Sequence, residues 1–428
     1  MTAKQLLVLM NGRRCGVVEQ RDAKLSFTYD PAWPRDPSAI PLSLSMPLDR
    51  ERHEHDVISA YMWGLLPDNP ITLDAWGKMH QVSAGNCFAL LGAVGEDCPG
   101  AVQFADPARI GKINQHDEIE WLDEAAFEKL MRQLAANPGR GRGGANDGQF
   151  SLPGAQAKTA LVRDENRWGI PRGRSPTTHI LKPLAYQVAG QVENEHFCLR
   201  LAARLDLRVA ESQVLEVAGM PVFCSTRYDR PRNAHGQVVR LHQEDICQAL
   251  GLHPRHKYEN DGGPTAKRIA ELLRAASTDP ASDSDRFVRA LAYNFVIGGT
   301  DAHAKNYALI LLGKQVRLAP LYDIASYIPQ AGKEKGIKLA MKIGGKYAMD
   351  EIMPRHWERF ATEAKFDSSR ALGHVRDLIM RLPGEALWLL QRCRTDGLQS
   401  AHLDTLVDAL WFRTKALASI YGAEQMTD

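Results

Sequence analysis

Disulfide chemistry is missing from this chain. Its seven cysteines, Cys15, Cys87, Cys98, Cys198, Cys224, Cys247 and Cys393, are scattered, odd in number and without any paired short spacing, a pattern of reduced thiols rather than of a disulfide framework or a zinc site. Long apolar runs are missing too. Nothing approaches the ~18 residues of a membrane span, and Leu6 to Met10 is too short for a signal peptide before the polar Asn11-Gly12-Arg13-Arg14. A cytoplasmic protein with no membrane partner is therefore expected. Excess charge of either sign is absent: 53 Lys and Arg stand against 51 Asp and Glu, a net charge of +2, so overall charge gives no argument for nucleic acid. Internal repeats and low-complexity tracts are absent as well. What remains, 44% hydrophobic and 24% charged residues, is the composition of an ordinary globular protein. A length of 428 residues exceeds what one core holds, and two or three domains are expected.

The start reads as β-structure, with Leu6 to Met10, a turn at Asn11-Gly12, Cys15 to Val18 and Leu25 to Tyr29. Helices are predicted near Ile58 to Leu66 and Glu124 to Ala136, giving an N-terminal α/β domain over residues 1–136. Residues 137–149, NPGRGRGGANDGQ, are a glycine-rich linker whose Arg140 and Arg142 are too few for a nucleic-acid segment. From 150 to 240 the pattern is strand-rich, with one helix from Val192 to Leu205. From 241 to 428 it is helical, near Asp285 to Val296, Arg370 to Leu382, Glu385 to Arg394 and His402 to Tyr421, interrupted by a single hairpin.

That hairpin carries the chemistry. In TDAHAKN, Asn306 stands five residues after Asp301, and Asp323 follows two short strands, Tyr307 to Leu312 and Gln315 to Leu318, turned at Gly313-Lys314. Kinase catalytic loops pair an Asp that accepts the proton of the attacking hydroxyl with an Asn five residues on that binds a metal, and a second metal-binding Asp follows. Alone, an Asp-x4-Asn is ordinary turn chemistry. The hairpin, which returns Asn306 and Asp323 to one end, reverses that reading and points to phosphoryl transfer.

Other features suit the same reaction. Lys182, in THILKP, ends a strand with alternating apolar residues and can reach the phosphates of a nucleotide, with Glu195 on the following helix to orient it; a lone lysine there is otherwise a solvated strand end. SLPGAQAKT, Ser151 to Thr159, is a glycine-containing turn entering a strand whose N–H groups can cradle phosphate. It is not a Walker loop, because Ala157 precedes Lys158 and a strand follows. CSTRYDR, Cys224 to Arg230, lies where a linker between lobes would meet adenine by its backbone, and KYENDGGP, Lys257 to Pro264, has the composition of a surface turn or of a substrate-cleft loop. Lys333, Lys335, Lys338, Lys342 and Lys346, opposed only by Glu334, make a local basic run, which is either a solvated face or a contact for nucleic-acid phosphates.

PLSLSMPL, LLPD, GAQAKTAL, PTTHILKP, QEDICQALG, KYENDGGP, TDAHAKN and LAPLYDIAS together make the chain resemble the HipA family, the serine/threonine kinase toxins of bacterial type II toxin–antitoxin pairs, over essentially its whole length. The resemblance implies an α+β, kinase-like two-lobed fold, a mixed sheet lobe plus an all-helical lobe, with the additional N-terminal domain. It implies ATP and Mg²⁺ as cofactors and Asp301 as the proton acceptor. Asn306 and Asp323 would be the metal ligands, and Leu152, Pro153, Gly154, Ala155, Gln156, Ala157 and Lys158 the phosphate cover. Lys182 and Glu195 would serve as the ATP lysine and its partner, and Thr226, Arg227 and Tyr228 as the adenine linker. His303, Lys305 and Tyr322 would line the nucleotide site, and Ser151 would be the autophosphorylated serine. Implied partners are a HipB-like helix-turn-helix antitoxin, operator DNA through that complex, with Lys338 and Lys342 facing it, and a protein substrate such as an aminoacyl-tRNA synthetase. Ala157 stands where the family's loop usually has Glu, and Thr226 and Tyr228 where its linker has Glu and Phe. The rival reading is a catalytically weak, nucleotide-binding corepressor that stabilises an antitoxin on DNA.

Overall fold

The structure, a computed structural model, describes residues 4–110, 118–137, 150–171, 175–184, 189–332 and 334–423. The glycine-rich linker after Asn137, residues 185–188 and Lys333 lie outside the described residues. The chain divides into two compact units. One holds residues 1–187, 215–254 and 309–316, and the other holds 188–214, 255–308 and 317–428.

Alternating apolar positions and a tight turn start the first unit. Asn11 (φ 53°) and Gly12 (φ 75°) both take left-handed backbone, as a two-residue hairpin turn between Lys4–Met10 and Arg13–Arg21 requires. These strands join Lys24–Tyr29, Arg52–His53 and Val102–Ala105 in a five-stranded sheet. Its core gathers Leu6, Val8, Val18, Phe27 and Tyr29 from strands with Ile58, Tyr61 and Leu91 from helices His55–Gly64 and Cys87–Val94.

A six-stranded sheet follows, in the order 212–217, 220–226, 179–183, 159–164, 167–171 and 119–122. The helix Glu124–Ala136 buries Phe127, Leu130 and Met131 against Leu161, Trp168, Leu181 and Val222, and the Phe127 and Trp168 rings stack with centroids 5.3 Å apart. Strand 119–122 and this helix therefore belong to the second sheet. The change of sheet falls between residues 105 and 119 rather than at 136, because the apolar stripe of the helix finds its partners later in the chain.

Two stretches 200 residues apart interlock within this unit. Glu244, fully buried, accepts from the Leu44 N–H at 2.8 Å and lies against the Ser43 hydroxyl, while the Ser43 and Ser45 hydroxyls reach the Gln248 carbonyl at 3.1 and 2.8 Å. The single Ser43 hydrogen cannot serve both Glu244 and Gln248, and a proton on Glu244 completes the chain of donors. Burial pushes this carboxyl up to about 8, against the lowering by Ser43 and Leu44. With the folded value raised above the ordinary 4.5, the contribution to stability is complete below about 4.5 and is lost as pH rises toward 8. Glu244→Gln should keep the hydrogen-bond pattern, abolish that decline and raise unfolding stability at pH 8–9 by a few kcal/mol, on the order that several pKa units convert to. Denaturant titration at pH 5 and pH 9 checks it; an unchanged decline in the variant would show that Glu244 is ionised when folded.

The second unit is mainly helical, with helices Gln191–Arg204, Ala266–Ala276, Pro280–Ile297, Pro354–Glu363, Ser368–Thr395 and Ala401–Tyr421. The break expected at Pro383 does not occur, and 368–395 is one helix. A proline inside a helix costs about 3 kcal/mol, and the apolar residues buried on both sides of it, Leu378, Ile379 and Leu382 before and Ala386, Leu389 and Leu390 after, outweigh that cost. The region is also interrupted twice rather than once, since Lys338–Ile343 and Lys346–Ala348 form a second hairpin. Leu339, Ala340, Met341 and Ile343 are buried in its first strand while Lys338 and Lys342 are exposed, so the lysines disguise the strand's apolar content. No helix among the described residues is long and apolar enough to cross a membrane.

Candidate active site

Helix Pro280–Ile297 ends at Gly298, whose φ of 67° closes it, and the chain enters the turn that bears Asp301. That turn is wound on the Asp301 carbonyl: it accepts from the His303 N–H at 2.8 Å and from the Asn306 side-chain amide at 2.7 Å, and the Asn306 N–H donates to the His303 carbonyl at 2.9 Å. Asn306 thus commits its amide nitrogen to the turn, which leaves Oδ1 as the atom to offer a cation. Asn306, Lys305 and His303 are buried, whereas the Asp301 side chain is 69% exposed. A buried frame carrying an accessible carboxylate is what a proton acceptor for an incoming hydroxyl needs.

Asp323 is positioned by the residues around it. Leu321 accepts from the Ala210 N–H at 2.8 Å and donates to the Arg208 carbonyl at 2.9 Å. Three residues past Asp323, Ser326 is clamped by the Asn194 side-chain amide on both its N–H (2.9 Å) and its carbonyl (2.8 Å), with its hydroxyl on the Ile297 carbonyl at 2.6 Å. Between these anchors Asp323 takes a left-handed φ of 56°, a conformation that Asp tolerates better than most residues and that persists where the surroundings over-determine it. Tyr322, beside it, donates to the Lys305 carbonyl at 2.7 Å, so the segments bearing Asn306 and Asp323 are joined directly. An amide oxygen and a carboxylate are the hard donors Mg²⁺ takes, usually one or two protein ligands completed by substrate phosphates. Glu195 is buried on the helix that also carries the Asn194 clamp.

In the first unit, the antiparallel pairing of strand 220–226 with strand 179–183 sets Lys182 opposite Phe223; Lys182 is buried, its Nζ 5.1 Å from the Phe223 ring centre. Ser151 is fully buried: its hydroxyl donates to the Leu65 carbonyl at 2.7 Å and its N–H to the Asp97 carbonyl at 3.0 Å. The following loop is folded on the LLPD stretch, with the Asp68 N–H on the Gly154 carbonyl at 3.2 Å and the Asn69 amide on the Ala155 carbonyl at 3.3 Å. Lys158 turns back to the Pro153 carbonyl at 2.7 Å, and Gly154 has a φ of 110°, which a side chain would strain. Leu152 and Ala157 are buried while Ala155 and Gln156 are exposed.

The 226–228 segment departs from its expected form. Thr226 ends its strand opposite His179, but Arg227 is turned inward, its N–H already donated to the Thr178 carbonyl at 2.9 Å. Its guanidinium contacts Asp229 at 2.9 Å, Thr177 at 2.8 Å and the Cys98 carbonyl at 3.0 Å, and Tyr228 bonds Gln243. Asp97, Asp229, Arg227, Arg230 and Arg240 form one buried network. Burial pushes both carboxyls up, yet the arginines hold them below the usual carboxylate range. All seven cysteines are buried, as small hydrophobes are.

Two family matches divide the chain along these lines. Residues 6–105 match the HipA N-terminal domain and residues 150–386 the HipA-like C-terminal domain. The chain belongs to the HipA family. Relatives include a Sinorhizobium fredii protein named "Putative kinase Y4mE", 35% identical over 97% of this chain and 99% of its own length. Another is the "Serine/threonine-protein kinase toxin HipA" of Shewanella oneidensis, 27% identical over 81% of this chain and 80% of its own. Among solved structures, the Shewanella oneidensis toxin–antitoxin complex of HipA, HipB and operator DNA aligns with a TM-score of 0.83 at 22% identity, over 99% of this chain and 100% of that one. The likeness establishes the HipA fold, kinase-like and of mixed helix and sheet.

The residue this family reading missed is Tyr258. Its hydroxyl donates to Asp301 Oδ1 at 2.5 Å and its ring meets that of His303 edge-on at 4.9 Å. KYENDGGP showed turn composition, but no spacing rule connects positions 43 residues apart.

Proposed function

We propose that this HipA-family chain is an ATP- and Mg²⁺-dependent serine/threonine protein kinase acting in the cytoplasm as a toxin. The observation that carries the reading is the exposed Asp301 carboxylate on a buried turn that Asn306 locks and Tyr322 joins to Asp323. Asp301 would accept the proton of a serine hydroxyl as that oxygen attacks the γ-phosphate and the bond from the γ-phosphorus to the bridging oxygen breaks, releasing ADP. Asn306 Oδ1 and the Asp323 carboxylate would hold Mg²⁺, which supplies charge stabilisation for the transferring phosphoryl group. Lys182, with Glu195, and the 152–158 loop would hold the phosphates; His303, Lys305 and Tyr322 would shape the nucleotide site. The relatives named a kinase and a kinase toxin support the class. The HipB- and DNA-bound neighbour supports a helix-turn-helix antitoxin and operator DNA as partners, and an aminoacyl-tRNA synthetase is the substrate class we favour. Of the two lysines expected to face DNA, Lys342 is engaged by Glu259, its N–H at 2.7 Å and its Nζ at 3.6 Å, while Lys346 pairs with Glu351 at 2.7 Å. Operator contact through this run therefore falls first to Lys338.

ATP binding, followed by calorimetry with and without Mg²⁺, tests the reading. Wild type should bind MgATP, and Asp323→Ala should lose the magnesium-dependent part of the affinity. Absence of MgATP binding by wild type would remove the kinase assignment.

Ser151 is proposed as a self-inhibition switch. Buried on the Leu65 carbonyl, it can be modified only after the segment leaves that seat, and a phosphate of about −1.5 to −2 charges cannot return to it. The 152–158 loop would then stay away from the nucleotide. The arginines that could hold the phosphate outward are Arg163, which is described, and Arg172 and Arg174, which lie outside the described residues. Intact-mass measurement after ATP incubation should show one added phosphate in wild type and none at this position in Ser151→Ala, with ATP affinity lost on modification. Unchanged affinity in the phosphorylated protein would defeat the switch.

A further inference from the structure

We infer that Tyr258 is a positioning residue for Asp301, an inference that rests on Asp301 being the proton acceptor. The Asp301 side chain is 69% exposed, and an exposed aspartate on a turn samples several rotamers. The Tyr258 hydroxyl at 2.5 Å on Oδ1 selects one of them, and Oδ2 takes no partner among the described residues. His303 Nε2 approaches the same Oδ1 at 3.9 Å, so both neighbours address one oxygen and leave the other to an incoming hydroxyl. A reacting group held in one orientation avoids the loss that misplacement by an ångström brings.

Tyr258 itself is held in place. The Ala304 N–H donates to the Lys257 carbonyl at 3.2 Å, tying its loop to the catalytic turn. The Asp261 and Gly263 N–H groups both donate to the Tyr258 carbonyl, at 3.0 and 2.9 Å. Gly263 must lack a side chain there, since a Cβ would lie 2.6 Å from that carbonyl oxygen. Glu259, with 7% of its side chain exposed, anchors the loop to the 338–348 hairpin through Lys342. A turn closed on one side and an ion pair on the other leave the hydroxyl pre-organised, as groups supporting a catalytic side chain are.

A double-mutant cycle tests this, using wild type, Tyr258→Phe, Asp301→Asn and the double variant, with labelled MgATP and water as acceptor. Tyr258→Phe keeps the ring against His303 and removes only the hydroxyl. It should lower turnover about tenfold, the scale of lost orientation, with MgATP affinity and thermal midpoint unchanged. In the Asp301→Asn background it should cost nothing further, because a residue acting through Asp301 has nothing left to orient. Turnover of Tyr258→Phe at or above the wild-type rate, with Asp301→Asn slow, overturns the role of Tyr258 alone. An equal loss in both backgrounds overturns it as well, showing a merely structural contribution. Wild-type turnover in Asp301→Asn, or none in wild type, overturns the base assignment and this inference with it.

Discussion

Asp301→Asn will lower phosphate transfer by about 10²–10⁴, the usual contribution of a positioned general base, while MgATP affinity and folding stability stay close to wild type. The turn is wound on the Asp301 backbone carbonyl, which accepts from His303 and from the Asn306 amide, and an Asn side chain leaves that carbonyl untouched. The substituted side chain is the exposed one, so no buried contact is lost. What changes is the atom facing the acceptor hydroxyl: an amide oxygen is too weak a base to take the proton. Single-turnover measurements at saturating MgATP check this, with the denaturation midpoint as the control for folding. Transfer within a factor of two or three of wild type would remove Asp301 from the reaction.

Asp229→Asn should cost about 3–5 kcal/mol of stability, the scale for breaking a buried ion pair by removing one partner. Asp229 Oδ2 takes Arg230 at 2.7 Å, Arg227 at 2.9 Å and the Gly100 N–H at 2.8 Å, and its Oδ1 takes the Arg227 Nε at 3.0 Å. An Asn offers one oxygen for these four donors and, with that oxygen in the Oδ2 position, turns its NH₂ toward the buried Arg227 guanidinium. Asp97 and Asp229 both have folded values below the ordinary 3.8. Their contribution is therefore present above about 4 and is lost as pH falls through the folded values. Denaturant unfolding at pH 7 should show the full loss in Asp229→Asn, and the gap from wild type should narrow in strong acid. A cost under about 1 kcal/mol at pH 7 would mean that the network is neutral to stability, as some buried ion pairs are against their replacements.

What the sequence displayed of this fold was local. The first hairpin, the helix Glu124–Ala136 and the hairpin 308–318 are each encoded by a period and a turn within about a dozen residues. Asn306 could be matched to Asp301 because both lie on one short turn. Features set by distant contacts were hidden. Strand 119–122 finds its partner at 167–171, Pro383 stays helical because of what its flanks bury, and the 338–348 hairpin was masked by its lysines. Among the residues singled out from the sequence, the inward turn of Arg227 depends on Asp97 and Asp229, and the burial of Ser151 depends on Leu65. The Tyr258–Asp301 bond closes 43 residues of chain. The short-range pattern carries Asp301 and Asn306, while the contacts that hold their turn come from distant parts of the chain.

The central claim is that this chain moves a phosphate from ATP to protein. Its most direct test is incubation of the purified chain with γ-labelled ATP and Mg²⁺, alone and with individual aminoacyl-tRNA synthetases, followed by separation of the labelled proteins. Label should appear on a protein serine with wild type and vanish with Asp301→Asn. Label on no protein at all, from a chain that binds MgATP, would contradict the account and favour a nucleotide-binding corepressor.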